Sequence, residues 1–206
     1  MTSESPEGPA ALLLIDYQKS FCDDDGRIAR QGLSIGGLRR AAEAGGRAAA
    51  RARERGVPVI WTRMGFEAGY ADGGILTRKL RPNLAAIGAL LKGSADFGLA
   101  DGLAATEADF VIDKPRYSAV YGTPLEPLLR ALGTIRIAVG GVTTSMCVET
   151  TVRDLGQRDY EVVVLADACA DFDEARHEAS LAALAFGFAR IGTTAELDRH
   201  LFGTDF

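Results

Sequence analysis

Histidine is scarce in this chain of 206 residues: there are two, His177 and His200. Both lie near the C-terminus in helical surroundings, where surface or capping roles account for them. Cysteine is scarce as well. Three, an odd number without framework spacing, argue against a disulfide scaffold and for free thiols in a reducing compartment, the cytoplasm by default. Positive charge is not in excess: 23 Lys and Arg stand against 28 Asp and Glu, so a net charge of −5 argues against a nucleic-acid or anionic-membrane partner. No apolar run approaches the roughly 20 residues that span a bilayer. The N-terminal stretch Met1 to Pro9 is polar and acidic, so it reads as neither a signal nor a transit peptide, and residues 1–10 are expected to form a flexible tail. Internal repeats, low-complexity tracts and a second domain are also missing, which leaves one domain over 1–206. Asp23-Asp24-Asp25-Gly26 lacks the spacing of a calcium loop and reads as a solvated turn.

Apolar runs of strand length alternate with helix-like stretches. The strands are expected at Ala11–Asp16, Val57–Arg63, Asp109–Asp113, Ile135–Val139, Glu161–Ala166 and Gly187–Ile191. Most are continuous Val, Ile and Leu runs, as in parallel strands covered on both faces. Helices are expected at Leu38–Arg55, Pro124–Leu132, Cys147–Gln157 and Asp173–Phe186, with Gly56, Gly133 and Gly187 as stops. The alternation predicts an α/β fold, a three-layer α/β/α sandwich around a six-stranded parallel, Rossmann-like sheet with right-handed crossovers. From Gly65 to Leu103 the pattern breaks into a glycine-rich, irregular insertion. A long loop following the second strand reads as functional.

The most informative segment runs from Gly140 to Glu149. An apolar strand ends in two glycines and small hydroxyl residues, then Cys147, then a helix. That layout presents a nucleophile at a strand-to-helix turn, where the helix N-terminus is expected to lower the thiol pKa and offer N–H groups to an oxyanion. Leu12–Asp16 is an apolar strand ending in a carboxylate, and Phe110–Lys114 one ending in a lysine. In an open α/β sheet, sites form outside the carboxyl ends of the strands. Taken singly, each residue has an ordinary reading: a buried small apolar Cys, a turn Asp, a solvated Lys. Cys22 and Cys169 keep that ordinary reading.

Four segments carry a family resemblance: Leu14 to Phe21, Lys114 to Ala119, Gly140 to Arg153, and Asp167 to Asp171 with His177 after it. Together they resemble the isochorismatase-like cysteine hydrolases over most of the chain. The resemblance implies a catalytic triad of Asp16, Lys114 and Cys147, in which Cys147 attacks an amide-like carbonyl, Asp16 exchanges the proton and Lys114 supplies positive charge. It further implies an oxyanion hole built from the backbone N–H groups of Thr143 and Cys147, a cis Val142–Thr143 peptide, and a homo-oligomer.

Metal-dependent nicotinamidases of this superfamily carry an Asp-x-His pair after the second strand. The corresponding stretch here, Trp61 to Phe66, holds no histidine, so no metal and no other cofactor is expected. The sequences around Lys114 and Cys147 are most similar to the ureidoacrylate, biuret and N-carbamoylsarcosine amidohydrolases. A small ureido or amide substrate is therefore implied, cleaved at a C–N bond through a thioester. Gln18, Arg63, Phe66, Tyr70, Asp72 and Tyr117 are the candidate substrate-binding residues, with Arg63 and Arg116 able to hold a carboxylate. Met64 and Asp72 depart from the ureidoacrylate pattern. Lactam hydrolysis is the alternative reaction, vinyl-ether cleavage is disfavoured by the presence of Cys147, and a non-catalytic binding module is the alternative of another class.

Overall fold

The computed structural model describes residues 9–202. Their elements follow the order β1 (Ala10–Ile15), α1 (Lys19–Cys22), α2 (Gly36–Glu54), β2 (Val59–Met64), α3 (Pro82–Ala86), β3 (Phe110–Lys114), α4 (Leu125–Ala131), β4 (Arg136–Val142), α5 (Glu149–Gly156), β5 (Glu161–Ala170), α6 (Glu174–Gly187), β6 (Arg190–Gly192) and α7 (Leu197–Phe202). All six strands run parallel in the order β3-β2-β1-β4-β5-β6. Every residue of β1 and of β4 is buried. Side chains alternate between the two faces of a strand, so helices must cover both faces. The expected α/β/α architecture is thus the observed one.

Chain order reverses between β1 and β4, and this switch point is where an open parallel sheet leaves a crevice at its carboxyl edge. β1 ends one residue before Asp16, and β4 ends at Val142, just ahead of the Cys147 turn. Two of the three candidate catalytic residues therefore flank the switch point. The third closes β3, two strands away from β1.

Helix α2 packs across the sheet through a stripe of small residues, among them Ala41, Ala44, Ala48 and Ala52. Alanine favours the helix and lets it approach closely. Gly45 is required on that face: a Cβ there would lie 2.4 Å from the Tyr17 ring. Tyr17 is fully buried and donates its phenol to the Ala168 carbonyl, tying the chain just past β1 to β5.

Several boundaries differ from the expectation. Ala10 already belongs to β1, and the rest of the expected tail up to residue 8 lies outside the described residues. Gly56 and Gly133 follow their helices with φ of 68° and 65°, as expected of helix stops. Gly187 does not act that way. It is the last residue of α6, and β6 begins only at Arg190. β5 runs on to Ala170 because a register shift between Val139 and Gly141 lets it continue alongside the end of β4.

Candidate active site

Asp16 leaves β1 in a left-handed conformation with φ of 57°. For a residue other than glycine this conformation is costly, and it persists where the surroundings fix it. Here the Asp16 N–H donates to the Thr62 carbonyl at 3.1 Å, and Thr62 Oγ1 returns a bond to Asp16 Oδ1 at 2.7 Å. The second carboxylate oxygen accepts from Lys114 Nζ at 2.7 Å, and both side chains are wholly removed from solvent. Lys114 can make that bond because of its length. Strands stand about 4.8 Å apart, so β3 lies roughly 10 Å from β1 and only a long side chain reaches across the end of β2.

The Lys114 ammonium has three N–H donors, and three protein acceptors take them: Asp16 Oδ2, the Arg116 carbonyl at 3.1 Å and the Tyr117 carbonyl at 3.0 Å. Burial works against its charge, but the adjacent Asp16 carboxylate outweighs burial and raises its pKa. Lys114 is thus held charged, and it acts on its neighbours mainly as a fixed positive charge.

Cys147 sits in a π-helical turn, Thr144–Val148, that precedes α5. The Thr143 carbonyl accepts the N–H groups of Met146 and Val148, skipping that of Cys147 between them. The Val142–Thr143 peptide is cis, as expected. Asp171 clamps the start of the turn, accepting the Ser145 N–H at 2.9 Å and the Ser145 hydroxyl at 2.6 Å. Thr144 Oγ1 pairs with His177 Nδ1 at 2.8 Å, which gives His177 a structural partner. On the other side, Thr151 donates to the Cys147 carbonyl at 2.7 Å while accepting the Ala119 N–H at 2.9 Å. One hydroxyl therefore joins the cysteine turn to the loop that follows Lys114. Space is tight behind the turn. A Cβ at Gly141 would lie 2.6 Å from Ile15 Cβ and 2.7 Å from the Ile15 carbonyl oxygen.

Asp16 and Lys114 both lie within electrostatic reach of the thiol. Burial pushes it well above its ordinary range, and the Asp16 charge adds to this, while Lys114 pulls it down without prevailing. This corrects the expectation of a thiol lowered by a helix N-terminus. In the resting site the thiol is neutral, and the carboxylate beside it is that of Asp16. Cys22 and Cys169 are also buried free thiols, Cys169 pushed up to about 12 by burial.

A cleft of about 50 Å³ opens onto Cys147 and Thr143, walled by Phe21, Ile28, Leu84, Leu90 and Phe172, with Arg81, Tyr117, Asp171 and Arg176 as polar members. A larger hollow of about 730 Å³ lies between α2 and residues 100–104, but none of Asp16, Lys114 and Cys147 lines it. Chemistry, not volume, identifies the site.

Of the six candidate substrate-binding residues, Tyr117 lines this cleft and the other five are engaged elsewhere. Gln18 is buried and braces two loops, donating to the Met64 and Phe97 carbonyls at 3.0 and 2.9 Å and accepting the Met64 N–H at 2.8 Å. Arg63 pairs with Asp113 at 2.8 Å and lies over the Phe97 ring. Phe66 is fully buried against Tyr70, whose phenol donates to the Leu84 and Ala89 carbonyls. Asp72 accepts the Glu67 N–H at 2.9 Å, and its own carbonyl accepts from Arg116. The insertion does wall the cleft, but through Arg81, Leu84 and Leu90. The other residues that the sequence reading missed, Phe21, Ile28, Met146, Phe172 and Arg176, come from segments flanking the recognised motifs. Thr62 was legible in principle, being the β2 residue registered against the end of β1.

Among the described residues no group of three or more His, Cys, Asp or Glu side chains could hold a metal ion, and no helix is long and apolar enough to cross a membrane. The isochorismatase domain model matches residues 10–196. The ureidoacrylate amidohydrolase RutB of Methylobacterium radiotolerans is 34% identical over 203 residues, covering 92% of this chain and 78% of that protein. Among solved structures, a cysteine hydrolase from Pseudomonas syringae pv. phaseolicola superposes with a TM-score of 0.85 at 28% identity, with 100% of both chains covered. N-carbamoylsarcosine amidase from Thermoplasma acidophilum shares the fold, with a TM-score of 0.73 at 22% identity over 90% of this chain and 96% of that one.

Proposed function

This chain belongs to the isochorismatase family, and on that premise we propose that it is a cysteine-dependent amidohydrolase cleaving a C–N bond of a small ureido or amide substrate. The observation that carries the reading is the fully buried Asp16–Lys114 pair meeting the Cys147 thiol at the switch point of the sheet. An ion pair removed from water costs more than a surface pair and is a weak stabilising device. Its position against a cleft thiol gives it a chemical use. The similarity to a ureidoacrylate amidohydrolase over most of the chain supports the substrate class.

In the proposed reaction Cys147 Sγ attacks the substrate carbonyl carbon as its proton passes to Asp16. The thiol is neutral at rest, so attack and proton transfer belong to one step, and Lys114 stabilises the sulfur's developing negative charge. The carbonyl oxygen becomes an oxyanion facing the N–H groups of Thr143 and Cys147. Collapse breaks the C–N bond, Asp16 returns the proton to the leaving nitrogen, and the acyl group remains on sulfur as a thioester. Water then attacks that carbonyl, giving its proton to Asp16. When the C–S bond breaks, Asp16 reprotonates Cys147 and the acid is released. No step calls for a metal ion.

A panel of ureido acids, biuret, primary amides, nicotinamide and lactams, read by amine and ammonia release before and after EDTA dialysis, tests the proposal. Turnover of ureido or amide members that survives the chelator is expected. Turnover confined to lactams, or lost with EDTA, would refute it.

A further inference from the structure

Two arginines reach the cleft, and they differ in how their charge is met. Arg176 has Asp171 at 3.2 Å and Asp173 at 4.0 Å. Arg81 has no carboxylate partner among the described residues, and its side chain interacts with the Tyr117 phenol. The remaining charges of the site cancel: Lys114 against Asp16, Arg176 against Asp171, with a neutral thiol. The cleft thus keeps one uncompensated positive charge, on a half-buried guanidinium beside apolar Leu84, Leu90, Phe21 and Ile28. A cation so placed has given up part of its hydration, and an incoming anion is the partner that repays it.

The backbone under Arg81 is fixed. Its N–H closes the π turn Leu76–Leu80 by donating to the Leu76 carbonyl at 2.7 Å, and its carbonyl accepts the Leu84 N–H at 3.1 Å. Pro82 follows and starts α3. Tyr117, against which Arg81 rests, is itself tied to the catalytic cation, since its carbonyl accepts from Lys114. Arg81 therefore enters the cleft that holds Cys147 from a fixed backbone.

We propose that Arg81, assisted by the Tyr117 hydroxyl, binds a carboxylate at the far end of the substrate from the scissile bond, so that the substrates are ureido acids or amido acids. This deepens the hydrolase reading above and rests on it. A single guanidinium matches a monoanion and presents the fork of N–H donors that a carboxylate takes in two bonds. Arg81 is a specificity-determining residue in this scheme and takes no part in bond making. Neither Arg63 nor Arg116 is free for the task, the first held by Asp113 and the second by the Asp72 and Pro115 carbonyls.

The test compares N-carbamoyl-β-alanine with butylurea, which carries an ethyl group in place of the carboxylate. Binding of each to the Cys147→Ser protein is measured by calorimetry, and kcat/KM of each with the wild-type enzyme. The acid is expected to bind at least tenfold more tightly than butylurea. That ratio should fall to near one in Cys147→Ser/Arg81→Met and be partly kept in Cys147→Ser/Arg81→Lys. In turnover the same preference should appear mainly in KM. Equal binding of the two ligands to Cys147→Ser, or a preference that survives Arg81→Met, overturns the proposal. Because the binding arm needs no chemistry, tight Arg81-dependent binding without wild-type turnover upholds the carboxylate site and overturns the hydrolase reading instead.

Discussion

Replacing Lys114 by methionine keeps most of the apolar stem of the side chain and removes its charge, which isolates the contribution of the buried ion pair. Three acceptors lose their donor: Asp16 Oδ2, and the carbonyls of Arg116 and Tyr117. Asp16 keeps only its bond from Thr62 at 2.7 Å. Removing one partner of a buried pair costs about 3–5 kcal/mol, because the other charge stays out of water without compensation. The orphaned carbonyls contribute within that figure. For a chain of this size the loss corresponds to a fall in Tm of roughly 6–20 °C. Urea unfolding at pH 7, followed by circular dichroism, measures it directly. Arg199→Ala serves as the control, since its pair with Glu196 is exposed and screened by solvent, so its loss should leave stability nearly unchanged. Asp16→Asn/Lys114→Met should recover much of the loss, because the double variant no longer buries an unpaired charge. A loss below about 1 kcal/mol in Lys114→Met, or a double variant less stable than the sum of the two single changes, would refute the reasoning.

Two further outcomes follow from the same geometry. Burial raises the Cys147 thiol, so its alkylation by iodoacetamide should be slow at pH 6 and accelerate steadily as the pH rises through 9, and Lys114→Met should slow it further. A rapid rate that is flat from pH 6 to 9 would mean a thiolate already formed at rest. Gly141→Ala must push a methyl group into Ile15, whose carbonyl oxygen is backbone and cannot swing aside. The expected cost is about 1–3 kcal/mol, with a fall in kcat larger than the change in stability implies, since Ile15 precedes Asp16. Calorimetry combined with kinetics checks this, and a fully active variant would contradict it.

The sheet and the three candidate catalytic residues at its edge were legible because each is announced by a strong local pattern. Continuous apolar runs mark the parallel strands, and Asp16, Lys114 and Cys147 stand where those runs stop. The substrate wall was not legible, for a physical reason. Tyr70 and Asp72 carry the polar groups that a loop rich in glycine draws the eye to, yet they satisfy the insertion's own carbonyls and N–H groups. Buried backbone groups need partners, and nearby side chains are the nearest supply. Sequence alone does not separate an Asp that closes its own loop from one that faces a ligand. Arg81 escaped notice for the opposite reason: it ends a π turn, whose period matches neither a helix nor a strand. The lowered thiol was also misjudged, because the helix N-terminus was visible in the sequence and the depth of burial was not.

The central claim is that Cys147 is the nucleophile, and the most direct measurement is kcat/KM of Cys147→Ala on a ureido or amide substrate that the wild-type enzyme hydrolyses. The side chain is small and buried beside the cleft, so the variant should fold with an unchanged circular dichroism spectrum. Loss of the attacking sulfur should lower kcat/KM by roughly 10³-fold or more, which is about 4 kcal/mol of transition-state stabilisation. A folded Cys147→Ala protein retaining activity within tenfold of the wild type would contradict the claim.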